Sequence, residues 1–131
     1  MTKAQFSLEF ILIFVVAFLI FLSLLALLTT MVEDRRSETA QVRLDILADG
    51  IKQYVQLAHQ STTRFEASVT LPPDLEGMAY NVSVDLETAL VVFSEESKVA
   101  AYKNIPAMQG QFQKGCNRLV KKEDVIRVVP C

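Results

Sequence analysis

The sequence has no tryptophan, one histidine, two cysteines and four glycines, and it has no surplus of positive charge. A net charge of −2 without a basic stripe argues against a nucleic-acid-binding protein, because such proteins usually present basic surfaces. The scarcity of glycine and histidine leaves no glycine-rich phosphate loop, no Ser-His-Asp set and no metal cluster. Asp45 and Asp49, and the pair Lys121-Lys122, are interpreted as solvated surface charges. We therefore expect no enzyme activity, cofactor, metal or nucleic-acid partner.

The two cysteines, Cys116 and Cys131, both lie in the last sixteen residues. Their even number and their confinement to one region favour a disulfide, provided that this region lies outside the reducing cytoplasm. The alternative is a pair of unrelated buried thiols, since free cysteine is often buried as a small apolar side chain. A disulfide would make export of the C-terminal region a testable premise.

Residues 10–28 form an unbroken apolar run, FILIFVVAFLIFLSLLALL, in which Ser23 is the one polar residue. As a helix this run would extend about 28 Å, which is close to the hydrocarbon thickness of a bilayer. A cleaved secretory signal usually has a shorter apolar core, and no small-residue cleavage site follows the run before Glu33. The run is therefore interpreted as a membrane anchor, whose orientation the flanking Lys3, Arg35 and Arg36 do not decide.

The residues before the run read Ala4-Gln5-Phe6-Ser7-Leu8-Glu9-Phe10, after the short basic leader Met1-Thr2-Lys3. This segment resembles the class III signal peptide of archaeal type IV pilins, in which Gln-x-Ser-x-Glu-Phe follows a small residue and opens a long apolar helix. Ala4 stands where glycine is frequent in that family. The resemblance covers about residues 3–28, and it implies that a prepilin peptidase cleaves between Ala4 and Gln5 while the apolar run stays in the mature chain.

The resemblance further implies a structural subunit, a major or minor pilin, of a surface filament that serves adhesion or attachment. Such a subunit would reside in the cytoplasmic membrane before assembly and then, with copies of itself or pilin co-subunits, in an extracellular filament. In that filament Glu9 would pair with the N-terminal amine of Gln5 of a neighbour, unless that glutamine has cyclised. Alternatively, Glu9 only marks the interfacial end of an anchor, where the positive helix N-terminus favours a carboxylate.

Two other functions stay open on the sequence. One is a monomeric, membrane-tethered extracellular binding module, and the other is an accessory pseudopilin of a secretion or uptake machine. A plain anchor has no need of a carboxylate at Glu9, which favours the assembling subunit over the tethered module.

No proline interrupts residues 5–60, so one continuous helix is expected, and Gly50 is the position at which we expect a bend. Apolar residues recur in its second half at alternating spacings of four and three, which predicts one apolar helix face. We expect the protein's own β-sheet to cover this face. The stripe consists of Ala40, Leu44, Leu47, Ile51, Tyr54 and Ala58.

From Arg64 onward the apolar period changes to two, which predicts strands. We expect a four-stranded meander with a hairpin loop at residues 94–97. Its strands are Phe65 to Leu71, Tyr80 to Val84, Ala89 to Phe93 and Val99 to Tyr102. Residues 105–114 read as a loop, and Val125 to Val129 could add a final strand.

The predicted fold is α+β and pilin-like: a long N-terminal helix, transmembrane and then amphipathic, packed on a small antiparallel β-sheet head. The predicted segments are a leader at 1–4, an apolar anchor and polymerisation helix at 5–31, an amphipathic helix at 32–60 and the head at 61–131. Asn81-Val82-Ser83 matches the N-glycosylation pattern, which matters only on an exported surface, and the alternative is a polar strand residue.

Overall fold

The computed structural model describes the backbone of residues 2–131 and the side chains of residues 8–131. Within that range the chain forms one long helix followed by short strands, an α+β arrangement as predicted. Two compact units are present, Met1–Arg36 and Ser37–Cys131. The elements are α1 (Thr2–Gln60), β1 (Phe65–Leu71), β2 (Asn81–Asp85), β3 (Ala89–Ser94), β4 (Val99–Asn104), β5 (Met108–Gln109), β6 (Gly115–Lys122) and β7 (Val125–Pro130).

The predicted continuous helix is confirmed, and it continues through Gly50 without a break in its hydrogen bonding. Proline is absent from the whole of α1, and the first half is rich in leucine, a strong helix former. The helix ends at Gln60, where Ser61 N still donates to Leu57 O at 3.1 Å. The chain then turns through residues 61–64 into β1.

The second half of α1 contributes one face to the core of the unit Ser37–Cys131, which we call the head. The face differs from the predicted stripe at two points: Leu47 is only partly buried and Tyr54 is exposed, while Ala48 and Val55 are buried. Exposure lets Tyr54 keep its hydroxyl in water instead of needing a buried partner. The buried helix residues are Ala40, Leu44, Ala48, Ile51, Val55 and Ala58.

The predicted four-stranded meander is wrong in its first strand. Strands β2, β3 and β4 do form an antiparallel meander, but β1 belongs to a second sheet with the order β1-β6-β7-β5. Strand β1 pairs antiparallel with β6, from Phe65 opposite Lys121 to Leu71 opposite Gly115. Pro72 and Pro73 follow β1 directly and have no N–H to donate, so the chain leaves the sheet there. In this sheet β5 pairs parallel with β7, so the head is not wholly antiparallel.

Strand β6 was not predicted, because two of its three buried inward positions are polar. Asn117, Leu119 and Lys121 point into the head while Arg118 and Lys122 are exposed, so an apolar period of two is hidden. The two-residue β5 lies in the segment expected to be a loop, and it is too short for a periodic signal. The predicted final strand is present as β7.

The hairpin between β3 and β4 is shifted by one residue from its predicted position. Ser94 belongs to β3, pairs with Val99 and is buried, so the four-residue loop is 95–98. Lys98 closes this loop with a positive φ of 54°. That conformation, more than the composition of the loop, sets where β4 begins.

Lys121 is a buried cap on the end of α1, contrary to the expectation of a solvated charge. Its side chain is 8% exposed, and its Nζ donates to His59 O at 2.9 Å and to Ser61 O at 2.7 Å. The last carbonyls of a helix have no partner within the helix, and its C-terminus favours a cation. Lys121 supplies both the hydrogen bonds and the charge, from a strand more than sixty residues later in the chain.

Asp45 and Asp49 are also more than solubilising carboxylates. Lys103 Nζ on β4 lies 3.3 Å from Asp45 Oδ1 and 3.0 Å from Asp49 Oδ1. The hydrogen bonds to Asp49 and then Asp45 raise the pKa of Lys103 above its ordinary value. Beside this pair of contacts, Gln41 Nε2 donates to Ala100 O at 3.1 Å. Polar contacts therefore join one side of the helix to β4 at two positions, one at Lys103 and the other at Ala100.

Candidate functional site

The candidate functional site is the apolar part of α1, from Glu9 to Leu28, which we call the apolar segment. Its large side chains are exposed all round the helix, and no part of the described chain covers them. The rings of Phe14 and Phe18, one turn apart, stack with their centroids 6.4 Å apart. A large contiguous apolar patch on a protein surface marks a membrane or protein interface.

The polar groups in and just after the apolar segment are satisfied by the helix itself. Ser23 Oγ donates to Leu19 O, Thr29 Oγ1 to Ala26 O and Thr30 Oγ1 to Leu27 O, each at 2.8 Å. A helix hydroxyl bonded back to a carbonyl of the preceding turn leaves no unpaired donor to face an apolar environment. The segment can therefore lie among lipids or other helices without a polar penalty from these side chains.

The apolar segment is long enough to cross a membrane. It belongs to the one helix among the described residues whose length and composition pass that test. Charged residues flank it: Glu9 stands at its start, and Glu33 to Arg36 follow its end. Glu9 and Glu33 are separated by about 36 Å of helix, with no charged residue between them. This spacing exceeds the ~30 Å of a typical hydrocarbon core, so both ends of the segment fit at polar interfaces.

Glu9 is exposed, and within residues 8–131 it forms no ion pair. A carboxylate at the edge of an apolar segment is costly if it enters the apolar phase without a partner. The predicted cleavage site, Ala4 and Gln5, and the predicted assembly role of Gln5 lie outside the residues whose side chains the structure describes.

Cys116 and Cys131 are joined by a disulfide, with their Cα atoms 5.4 Å apart. Cys131 N also donates to Cys116 O at 3.1 Å, which continues the antiparallel pairing of β6 with β7. The bond attaches the last residue of the chain to the start of a central strand. Asn117, the neighbour of Cys116, is buried and bonds through its side chain to the backbone of Gln113 and Gly115. The disulfide and Asn117 together hold the turn that precedes β6.

The other residues considered from the sequence lie apart from the apolar segment in the chain. Asn81 is exposed at the first position of β2, so its side chain is accessible, and its glycosylation stays a prediction. His59 is exposed in the last turn of α1, where its carbonyl accepts from Lys121. Among the described residues no group of three or more His, Cys, Asp or Glu side chains is placed to hold a metal ion.

A feature that sequence reasoning missed lies on the outer face of the four-stranded sheet. A pocket of about 410 Å³ is lined by three valines, two cations and one amide. It was missed because three of its residues lie on β6 or β5, which were not predicted as strands. The lining residues are Gln109, Val120, Lys122, Val125, Arg127 and Val129.

Comparison with known protein families matches residues 9–124 to a family of unknown function. The chain belongs to family DUF7266. The DUF7266 match spans most of the chain and includes both the apolar segment from Glu9 and nearly the whole head. No curated protein and no solved structure matches the chain.

The DUF7266 match runs through both the apolar segment and the head, so the segment lies within the region that defines the family. The description of the family states no activity. The features of this DUF7266 member that bear on its function are the apolar segment, Glu9 and the surface of the head.

Proposed function

We propose that this protein is a structural subunit, a major or minor pilin, of an archaeal type IV pilus-like surface filament that serves adhesion or attachment. The observation that carries the proposal is that the two halves of α1 have different surroundings. One continuous helix has an apolar first part that is exposed on every side and a second part that forms the core face of a disulfide-bonded head. Such a helix joins a folded head to a segment that must be buried elsewhere.

The apolar segment has two environments in which its exposure is favourable. Lipid surrounds it in the cytoplasmic membrane, where its length fits the bilayer. In a filament the same surface would pack against the apolar segments of other subunits, since a helix that is apolar all round is a buried helix. Transfer from lipid to other helices exchanges one apolar contact for another, so a subunit can leave the membrane without exposing the segment to water.

We assign to Glu9 the role of setting the axial position of one subunit relative to the next. Within an apolar bundle its carboxylate needs a cationic partner, and cleavage after Ala4 would create one at the amine of Gln5 in a neighbouring subunit. The four-residue offset between Gln5 and Glu9 would then become an axial step between copies. A prepilin peptidase and the membrane are the other partners that this proposal requires.

Glu9→Gln is the variant that tests this assignment, because it keeps the size of the side chain and removes its charge. We expect the variant to insert into the membrane and to be processed, while surface filaments become sparse or absent. Loss of one member of a buried ion pair typically costs about 3–5 kcal/mol, and here the loss recurs at every subunit. Membrane-fraction blotting and electron microscopy of cells measure the two outcomes.

Glu33→Gln is the matched control, since Glu33 is an exposed glutamate on the same helix at the other end of the apolar segment. It should leave filament number and length unchanged. Normal filaments from Glu9→Gln would show that the carboxylate only marks an interface. A wild-type protein that stays in the membrane under all conditions would favour the monomeric tethered module, and filaments built of other subunits would favour the accessory pseudopilin.

A further inference from the structure

The turn between β2 and β3 places an apolar side chain in water between two acids. Thr88 N donates to Asp85 O at 3.2 Å, which closes a β-turn whose central residues are Leu86 and Glu87. Both have positive φ, 48° and 62°, in a turn type that usually carries asparagine and glycine. Leu86 is 85% exposed, and Asp85 and Glu87 are exposed beside it. We call Asp85, Leu86 and Glu87 the acidic knob.

The acidic knob is held in place by the chain behind it. Met108 N donates to Glu87 O at 3.0 Å, and Ile105 N donates to Thr88 O at 2.9 Å. Among the described residues Leu86 is the one apolar residue with a positive φ. A bulky residue in this conformation is uncommon, and such backbone strain clusters at functional positions. The fold therefore presents Leu86 outward on a supported turn.

The pocket on the four-stranded sheet has the complementary chemistry. Val120, Val125 and Val129 supply an apolar lining, and Lys122 and Arg127 supply two exposed cations. Within the described part of the chain neither cation pairs with a carboxylate, and Arg127 Nη2 donates to Gln109 Oε1 at 3.2 Å. A cavity of about 150 Å³ accommodates benzene, so a pocket of 410 Å³ has room for a leucine side chain.

We infer that the acidic knob of one copy docks into this pocket on the head of a second copy. Leu86 would contact the three valines, and the carboxylates of Asp85 and Glu87 would face Lys122 and Arg127. Because Leu86 is 85% exposed, it does not fill the pocket of its own head. The contact joins two different surfaces, which is the kind of interface that can propagate along a filament. This inference rests on the proposed function, since it assigns the head contact to subunits that their helices bring together.

A cross-linking experiment on the full-length protein in its native membranes tests this contact. Two differently tagged copies are produced together, one with Leu86→Cys and the other with Val125→Cys, and a short bismaleimide is added. The docked arrangement predicts a mixed-tag cross-link. The matched control replaces Leu86→Cys with Tyr102→Cys, because Tyr102 is also large, 72% exposed and on the three-stranded sheet. The control pair should cross-link at least about tenfold less, since specific docking fixes one geometry.

Charge reversal separates docking from random collision. Asp85→Lys with Glu87→Lys on the knob copy should lower the cross-link yield at least about tenfold, because like charges then face each other. Lys122→Glu with Arg127→Glu on the other copy should restore the yield to within about threefold of the original. Equal cross-linking of the Tyr102→Cys control, or no effect of the reversals, would overturn the inference.

The outcomes also separate this inference from the proposed function. A rescued, charge-dependent cross-link in cells whose filaments lack the protein would support the head contact and remove the filament role. Filaments that contain the protein but give no cross-link would keep the filament role and overturn the head contact.

Discussion

Single polar side chains satisfy backbone groups at several places in the head. Gln111 accepts from Val84 N at 2.7 Å and donates to Val84 O at 2.8 Å, which covers part of the free edge of β2. Asn117 makes three hydrogen bonds to the turn before β6, and Lys121 caps the end of α1. Each side chain replaces water at a backbone group that has no partner in its own helix or sheet. The stability of the head therefore depends on a few polar residues as well as on its apolar core.

Lys121→Met tests the cap on α1. We expect the free energy of unfolding of the head to fall by about 3 kcal/mol, because hydrogen bonds to charged groups are worth roughly 1.5–3 kcal/mol and two carbonyls lose their donor. Lys122→Met is the matched control: Lys122 is the next residue and is exposed, so its loss should change stability by less than about 0.5 kcal/mol. Similar losses from the two variants would contradict the cap.

Tyrosine fluorescence of the detergent-solubilised chain during urea unfolding is a suitable measurement. All three tyrosines, Tyr54, Tyr80 and Tyr102, lie in the head, and the chain has no tryptophan. The signal therefore reports on the head alone, whatever the state of the apolar segment in the detergent.

At the scale of elements, the parallel pair β5 and β7 depends on a close approach of two backbones. Gly110 follows β5 with a φ of +100°, and a Cβ added there would lie 2.5 Å from Val128 O. Only glycine allows both the conformation and the contact. This approach brings Gln109 beside β7, where it forms part of the pocket with Arg127.

Gly110→Ala should therefore lower the free energy of unfolding by about 3 kcal/mol, the sum of the left-handed backbone cost and the clash. Gly77→Ala is the matched control, because Gly77 has a φ of +84° but no atom within 4 Å of an added Cβ. It should cost only about 1–2 kcal/mol, and the difference between the variants isolates the contact with Val128 O. Equal costs in urea unfolding would show that the sheet moves to accommodate the methyl group.

At the scale of the whole molecule, charge and covalent structure are divided between two units. The apolar segment has no charged residue after Glu9 until Glu33, whereas the head carries exposed ions of both signs and the disulfide. A disulfide between Cys116 and Cys131 persists in an oxidising environment, which agrees with a head outside the cytoplasm. The charged surface of the head suits water, whereas the exposed apolar side chains of the apolar segment do not.

The prediction at the scale of the whole molecule concerns proteolytic processing of the N-terminus. We expect the mature chain to begin at Gln5, free or cyclised, and to keep the entire apolar segment. Its formal charge should be −3, because removal of Lys3 takes one positive charge from the −2 of the full sequence. Intact-mass and N-terminal peptide spectrometry of protein from native cells give the result, with cells that lack the prepilin peptidase as the control. A mature chain that begins after Leu28 would identify an ordinary secretory signal and remove the filament proposal.

The sequence by itself determined the features that depend on neighbouring residues. The apolar run and the absence of proline predicted α1 to its observed end, and the position of Glu9 at the start of that run is readable directly. Period-two alternation predicted β1 and β2, because a half-buried strand repeats its environment every second residue. Short apolar runs predicted β3, β4 and β7. The pairing of Cys116 with Cys131 was also predicted, because the cysteines are even in number and confined to one region.

Only the tertiary structure decided which strands pair and which polar residues are buried. Strand β1 pairs with β6 and not with the strands that follow it in the chain. From the sequence, Asn117 and Lys121 look solvated, but in the structure they are buried and bond to the loop at 113–115 and to the end of α1. The pocket arises in the same way, from β5, β6 and β7 together. The physical reason is that local sequence encodes the period of a segment, whereas the partner of a strand, and the carbonyls that let Lys121 be buried, come from parts of the chain far away in the sequence.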